Sequence, residues 1–257
     1  MKKTVAVITG ASSGIGRRFA ETLAAFGRPF DEVYVVARRL ERLESLELPY
    51  PVRALPFDLT CRENLDRYAA MLAEEQPDVA LLINCSGYGR FGATLDTPLA
   101  DNLNMVDLNC QALMAMCQIT APYMAPGAQI INIASVAALQ PVPYINVYAA
   151  TKAFVLSFSR ALGRELRSRG VRVLAVCPFW TRTEFFARAI DEDEPRVVRR
   201  YLAMYEPDQI VRRAWRDAKR GRDVSKFGFV ARAQALLAKL LPHGLVMTAW
   251  MKMQGLQ

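Results

Sequence analysis

The sequence predicts an α/β fold: a single domain over 1–257, built as a doubly wound parallel sheet with helices on both faces and a C-terminal helical lid and extension. Three observations carry this expectation. Strand-length apolar runs alternate with segments of helical character, the pattern of strands joined by crossover helices. The run Ala80-Leu81-Leu82-Ile83 is apolar without interruption, as suits a strand covered on both sides. Gly10, Asn84, Ser135 and Pro178 each fall just after such a run. Right-handed crossovers bring all strand C-termini to one edge, so these four positions are expected to share one site.

In chain order the strand runs are Val5–Thr9, Val33–Ala37, Val52–Phe57, Val79–Asn84, Gln129–Ala134 and Val171–Cys177, with helical segments such as Arg17–Phe26 and Arg62–Glu75 between them. The first run leads into the turn Thr9-Gly10-Ala11-Ser12-Ser13-Gly14-Ile15-Gly16. Glycines there let backbone N–H groups and the positive end of a helix approach a pyrophosphate with no Cβ in the way. The second strand ends in Arg38-Arg39 and lacks the terminal Asp or Glu that would accept hydrogen bonds from a ribose diol. A guanidinium at that place suits a 2′-phosphate, and the alternative is that both arginines simply begin a solvated helix over 38–44.

Beyond Pro178 the pattern loosens into the aromatic and charged stretch Phe179–Phe186, then Asp191-Glu192-Asp193-Glu194-Pro195 and basic helices; 179–225 is read as a lid over the site. The extension, 226–257, is an apolar pair of helical pieces broken at Pro242. Three roles stay open for it: covering a pocket, packing at a subunit interface, or peripheral contact with a membrane surface.

Composition narrows the function classes. With 257 residues and 52% apolar content the chain can bury a sizeable core, and no linker or repeat divides it. No run of 18 apolar residues occurs, and the N-terminus passes directly into the first strand, so neither a transmembrane segment nor secretion is expected and the location is read as cytoplasmic. Five scattered cysteines without a C-x-x-C pair read as reduced, mostly buried thiols. The single histidine, His243, argues against a metal centre and against Ser-His or Cys-His catalysis. Much of the net charge of +8 lies in Arg196, Arg199, Arg200, Arg212, Arg213, Arg216, Lys219, Arg220 and Arg222, either a solvated helical face or a docking surface for an anionic thioester carrier. No nucleic-acid reading motif accompanies it, so nucleic acid is not an expected partner.

Tyr148 and Lys152 stand four residues apart, thirteen residues after Ser135. On a helix that spacing places phenol and ammonium on one face, where the positive charge is expected to lower the Tyr148 pKa. A phenol so tuned exchanges a proton with a carbonyl or an alcohol. Ser135 closes a strand, where its hydroxyl can donate to a substrate oxygen. Singly, each has a plain alternative: a helix cap, a core ring, a surface cation.

Together, and after a G-x-x-x-G-x-G turn, these residues resemble the short-chain dehydrogenase/reductase family from Lys3 to about Thr183, roughly 70% of the chain. The resemblance implies a Rossmann-type sheet and a nicotinamide dinucleotide, NADP(H) preferred and NAD(H) the alternative. It implies that Gly10, Gly14, Ile15 and Gly16 cradle the cofactor, that Arg38 with Ser12 and Ser13 grips its 2′-phosphate, and that Asp58 hydrogen-bonds the adenine amino group. Asn84-Cys85-Ser86-Gly87 matches the family's Asn-Asn-Ala-Gly element, with Cys85 and Ser86 replacing Asn and Ala. Pro178 and Thr183 match the ends of the Pro-Gly-x-x-x-Thr loop around the nicotinamide, which here also contains Thr181 and carries Phe179 in place of the glycine. By the same resemblance Tyr148 is the proton donor in reduction and the base in oxidation, Lys152 also holds the ribose hydroxyls, and Asn109 anchors a water-linked proton relay. Relatives form homodimers or homotetramers through the helices that here contain Asn109 and Tyr148.

The expected function is therefore an NADP(H)-dependent oxidoreductase interconverting a carbonyl and a primary or secondary alcohol. Phe179, Trp180, Phe185, Phe186 and the apolar extension suggest a lipophilic substrate: a 3-oxoacyl thioester, a steroid or a long-chain aldehyde. Two alternatives remain: a non-catalytic NADP(H)-binding sensor or interaction protein, and an isomerase or epimerase that retains its cofactor.

Overall fold

The computed structural model describes residues 2–190 and 197–256. Strands β1 (Thr4–Thr9), β2 (Glu32–Val36), β3 (Val52–Leu55), β4 (Asp78–Asn84), β5 (Gln129–Ile133), β6 (Arg172–Val176) and β7 (Val224–Ser225) form one sheet in the order β3-β2-β1-β4-β5-β6-β7. All neighbouring pairs are parallel. The helices are α1 (Gly14–Glu21), α2 (Leu40–Glu44), α3 (Arg62–Glu75), α4 (Leu99–Val106), α5 (Leu113–Thr120), α6 (Asn146–Glu165), α7 (Phe185–Ala189), α8 (Pro207–Lys219), α9 (Phe229–Leu240) and α10 (His243–Gln254).

Successive strand residues point to opposite faces, and both faces are covered. Val5, Val7, Tyr34, Val36 and Leu82 pack with Leu72 of α3, Met116 of α5 and Val155 of α6. Their neighbours Ala6, Ile8, Val33, Val35, Leu81 and Ile83 pack with Phe19 of α1, Leu43 of α2 and Trp215 of α8. This explains why the strands read as uninterrupted apolar runs. Each fully buried Leu, Ile or Phe contributes about 1.5–3 kcal/mol of transfer free energy.

The six expected strands are present with ends shifted by no more than two residues. The two-residue β7 is too short to leave a periodic signal; Ser225 at its end donates to Asp217 Oδ2 at 2.8 Å. The expected helix over 17–26 begins earlier, at Gly14, and its last part is a separate 3-10 turn, Leu23–Phe26. Within the 179–225 segment read as a lid, α8 instead covers the sheet beside α1. It buries Ile210, Val211, Ala214, Trp215 and Ala218, and the Trp215 ring meets Phe19 edge-on at 5.2 Å. The arginines on its outer side masked that apolar stripe in the sequence. Asp191–Pro195 and Arg196 lie outside the described residues. Cys110, Cys117 and Cys177 are buried, Cys85 is half-buried, and Cys61 is exposed. No helix among the described residues is long and apolar enough to cross a membrane.

Candidate active site

The strand order reverses between β1 and β4, with β2 and β3 on one side and β5 to β7 on the other. Such a switch point opens a crevice at the strand C-termini. A cavity of about 920 Å³ lies here. Gly10, Ser12, Ser13, Ile15, Gly16, Arg38 and Asp58 line one end, and Ser86, Gly87, Ser135, Tyr148, Lys152, Pro178, Thr181 and Thr183 line its middle. The far end is walled by Phe179, Trp180, Phe185 and Phe186 with Leu237, Leu245 and Trp250 from the C-terminal helices. The extension thus covers the pocket, the first of its three open roles, with Trp250 Nε1 anchored on Pro143 O at 3.0 Å.

The glycine turn is held against the end of β4. Thr9 Oγ1 accepts from Cys85 N and Ser86 N, both at 3.1 Å. Gly10 has φ +68, and a Cβ on Gly16 would lie 2.2 Å from Gly10 O. The turn therefore packs closely on its own backbone and leads into the start of α1, where no side chain caps the helix and the first N–H groups have no partner within it. Gly14 lies behind the turn, outside the cavity wall, with Thr183 against it.

At the end of β2 the two arginines diverge. Arg38 is exposed, with Nη1 3.8 Å from Asp58 Oδ2. Arg39 Nη2 donates to Ser12 Oγ at 3.2 Å and to Glu184 at 2.9 Å. Both stand before α2, so the helix expected over 38–44 starts at Leu40. Asp58 Oδ1 accepts from Thr60 N at 3.0 Å and Thr60 Oγ1 at 2.7 Å, which fixes its carboxylate. Asn84, in contrast, turns inward. It is 2% exposed, donates to Asn132 Oδ1 at 2.9 Å and Cys117 Sγ at 3.3 Å, and braces β4 against β5 without reaching the cavity.

Ser135, extended at the end of β5, accepts from Ala137 N at 3.1 Å. It therefore caps the following 3-10 turn while its O–H stays available to donate. Lys152 Nζ donates to Ile133 O at 2.8 Å and sits 5.8 Å from the Tyr148 ring centre. Between α4 and α5 the chain makes a π-helical turn, Asp107–Ala112, that carries Asn109 inward. Asn109 donates to Tyr88 O at 2.8 Å and Thr151 Oγ1 at 3.0 Å, and accepts from Tyr88 N at 3.0 Å. Its oxygen and Lys152 Nζ both crowd Gly87, where a Cβ would meet them at 2.8 and 3.4 Å. Asn109 thus secures the loop after β4 from behind the cavity wall.

Burial dominates the titration of the pair. The Tyr148 phenol is pushed up to about 12 by burial, against a smaller lowering from its hydrogen bond with Ser135. The lowered phenol pKa expected from the i,i+4 spacing is not what the geometry gives, because the ammonium is aimed at Ile133 O. Lys152 itself is driven down to about 8 by the same desolvation. Its folded pKa lies below the ordinary 10.5, so unfolding takes up a proton between those values and stability rises with pH across that window. Below pH 8 the buried charge costs about 3 kcal/mol at 1.36 kcal/mol per unit. Lys152→Met is therefore expected to raise the urea midpoint at pH 7 and to lose that advantage by pH 10.5, as equilibrium unfolding at the two pH values will show.

The sequence did not reveal Arg39 on the glycine turn, the Glu184 contact, or the Tyr88 backbone as the partner of Asn109. All three depend on side-chain direction between elements distant in the chain. On α8, Arg212 pairs with Asp208 at 2.6 Å and Arg213 with Asp217 at 2.7 Å, and Arg222, just beyond the helix, also approaches Asp217 at 3.5 Å. Part of the expected basic surface is thus neutralised locally.

The cleft, the glycine turn and the Ser-Tyr-Lys wall define a dinucleotide-dependent dehydrogenase architecture. Residues 4–194 match the model of the short chain dehydrogenase family, and the chain belongs to that family. It is 30% identical over 182 residues to an uncharacterized oxidoreductase of Staphylococcus epidermidis, covering 69% of this chain and 78% of that one. It is also 31% identical over 191 residues to the very-long-chain 3-oxoacyl-CoA reductase of Homo sapiens, covering 70% of this chain and 60% of that one. Among solved structures, a short-chain dehydrogenase from Sphingobium yanoikuyae in complex with NADPH superposes with a TM-score of 0.77 at 33% identity, covering 95% of this chain and 94% of that one.

Proposed function

We propose that the protein is an NADP(H)-dependent oxidoreductase that interconverts a lipophilic carbonyl compound and its alcohol. The observation that carries this reading is the continuity of one cavity, from the glycine turn past Ser135, Tyr148 and Lys152 to an aromatic and leucine-lined end. The residues fit a dinucleotide: the glycine turn packs onto the end of β4 at a distance where a Cβ on Gly10 or Gly16 would strike backbone, and Ser12, Arg38 and Arg39 line the same cavity beside it. A nicotinamide bound there supplies the hydride.

The chain's own residues do the rest. Ser135 O–H donates to the substrate oxygen and orients it. Tyr148, held protonated by burial, gives its proton to that oxygen in reduction and takes it back in oxidation. Lys152, which lines the cavity, would hold the ribose hydroxyls of a bound dinucleotide, and Asn109 keeps the loop after β4 in place beside it. Phe185, packed on Tyr148 at 5.4 Å, helps exclude water from the reacting oxygen.

The NADPH complex of the Sphingobium relative supports the phosphorylated cofactor. The human relative, a 3-oxoacyl-CoA reductase, supports an acyl thioester among lipophilic substrates. Exposed Leu99, Leu103, Met114 and Phe154 on α4, α5 and α6 support a homo-oligomer built through these helices. The test follows NADPH oxidation, with NADH in parallel, against 3-oxoacyl thioesters, ketosteroids, long-chain aldehydes and a small polar ketone. The expected result is NADPH preferred, with kcat/KM rising with apolar chain length. Turnover of the polar ketone alone overturns the lipophilic assignment, and binding of NADPH without any turnover returns attention to a sensor role or to isomerisation.

A further inference from the structure

Glu184 lies immediately before α7, and both of its neighbours touch the site. Thr183 packs against Gly14 of the cofactor turn, with its Cγ2 3.0 Å from where a Cβ would stand, and Phe185 packs on Tyr148. The Glu184 carboxylate crosses the mouth of the cleft to the end of β2. There it accepts from Arg39 Nη2 at 2.9 Å, and Arg42 Nη1 closes on its other oxygen. Arg39 simultaneously donates to Ser12 Oγ in the glycine turn. These two cations and that hydroxyl stand where this fold class places the 2′ substituent of the adenosine ribose, beside the end of the second strand. Glu184 is 46% exposed in its side chain and Arg39 and Arg42 are 40% and 43% exposed, so solvent and ligand reach the cluster.

Carboxylate and phosphate are both preferred partners of a guanidinium, and both use the same planar donors. A nucleotide carrying a 2′-phosphate must therefore draw Arg39 and Arg42 away from Glu184 or bind beside its negative charge. A nucleotide with a free 2′-hydroxyl meets neither requirement.

We propose that Glu184 is an internal anion that competes with the 2′-phosphate for Arg39 and Arg42, and so sets how strongly the protein prefers phosphorylated over unphosphorylated dinucleotide. The proposal rests on the nicotinamide dinucleotide reading above. Glu184 weakens the preference, and its removal sharpens it.

The test is direct binding by titration calorimetry, independent of turnover, with NADPH, NADH, adenosine 2′,5′-bisphosphate and ADP on the wild type and on Glu184→Gln. The variant is expected to bind NADPH and the bisphosphate about 3- to 10-fold more tightly, the factor for releasing two half-exposed ion pairs, with NADH and ADP changed less than about 2-fold. Arg42→Gln is expected to do the opposite, weakening the two phosphorylated ligands alone. Unchanged NADPH affinity in Glu184→Gln, or an equal gain for NADH, overturns the role of Glu184 while leaving the cofactor reading intact. If none of the four ligands binds the wild type, the cofactor reading itself falls and the proposal with it.

Discussion

Tyr148→Phe is expected to lower kcat for carbonyl reduction by about 10²- to 10⁴-fold, the range for losing a positioned proton donor. It is expected to leave the fold and NADPH affinity near their wild-type values. The phenol ring is set by packing: it meets Phe185 at 5.4 Å, and Gly89 leaves room for it, since a Cβ there would lie 3.0 Å from Tyr148 Cδ2. Phenylalanine keeps every one of those contacts and deletes only the hydroxyl that Ser135 hydrogen-bonds. Single-turnover rates with saturating NADPH, set beside a calorimetric titration of the same cofactor, separate lost chemistry from lost binding. The pH dependence follows from the same burial. With the Tyr148 pKa near 12, the donor form persists through the neutral range, so its titration leaves reduction level there. Alcohol oxidation needs the phenolate, and its rate is expected to climb with pH as that form grows.

What the chain disclosed in advance was whatever a local pattern encodes. The apolar runs gave six of the seven strands because a strand buried on both faces has no polar alternation to confuse it. The glycine spacing and the Ser135, Tyr148 and Lys152 triplet were legible because backbone clearance and helix geometry fix those residue types at those intervals. Four features were not legible, each for its own physical reason. The π-helical turn at Asp107–Ala112 adds a residue to a helix without changing its composition, so nothing marked how Asn109 would point. Asn84 sits at a strand end like a ligand contact, yet it belongs to a buried pairing with Asn132 that is formed only when β4 and β5 meet. The raised Tyr148 pKa leaves no mark in the sequence because spacing along a helix gives proximity of charge but not its competitor, the desolvation that raises the phenol and lowers Lys152 together. Arg39 and Arg38 are adjacent in sequence, and only the approach of Glu184, 145 residues away in the chain, shows which of them turns toward the glycine turn.

Gly16→Ala is expected to reduce NADPH affinity by at least about 100-fold and to cost about 2–4 kcal/mol of stability, within the range for overpacking and strain in a rigid site. The added Cβ would lie 2.2 Å from Gly10 O, 2.7 Å from Gly10 C and 3.1 Å from Cys85 Cβ. Two of those three neighbours are backbone, and Gly10 cannot retreat. Its own Cβ position already falls 2.8 Å from Cys85 C and Ser86 N, and its N–H is tied to Val36 O at 2.8 Å. Relief must come from parting β1 from the end of β4, which displaces the N–H groups that face the cofactor. Gly14→Ala separates strain from collision: φ is +52, but the nearest obstacle is the Thr183 methyl at 3.0 Å, a side chain that can rotate away. Its expected cost is the roughly 1–2 kcal/mol of a left-handed backbone alone, with a smaller loss of affinity. Gly127→Ala supplies the baseline, since φ is +92 there and nothing lies within 4 Å. Urea unfolding of the three variants, with NADPH titration of each, should rank Gly16 well above the other two. Gly16 is helical, so its cost is collision alone; a loss at Gly16 no larger than at Gly127 would mean that the contact with Gly10 O is relieved cheaply, and full NADPH binding by Gly16→Ala would place the pyrophosphate somewhere other than this turn.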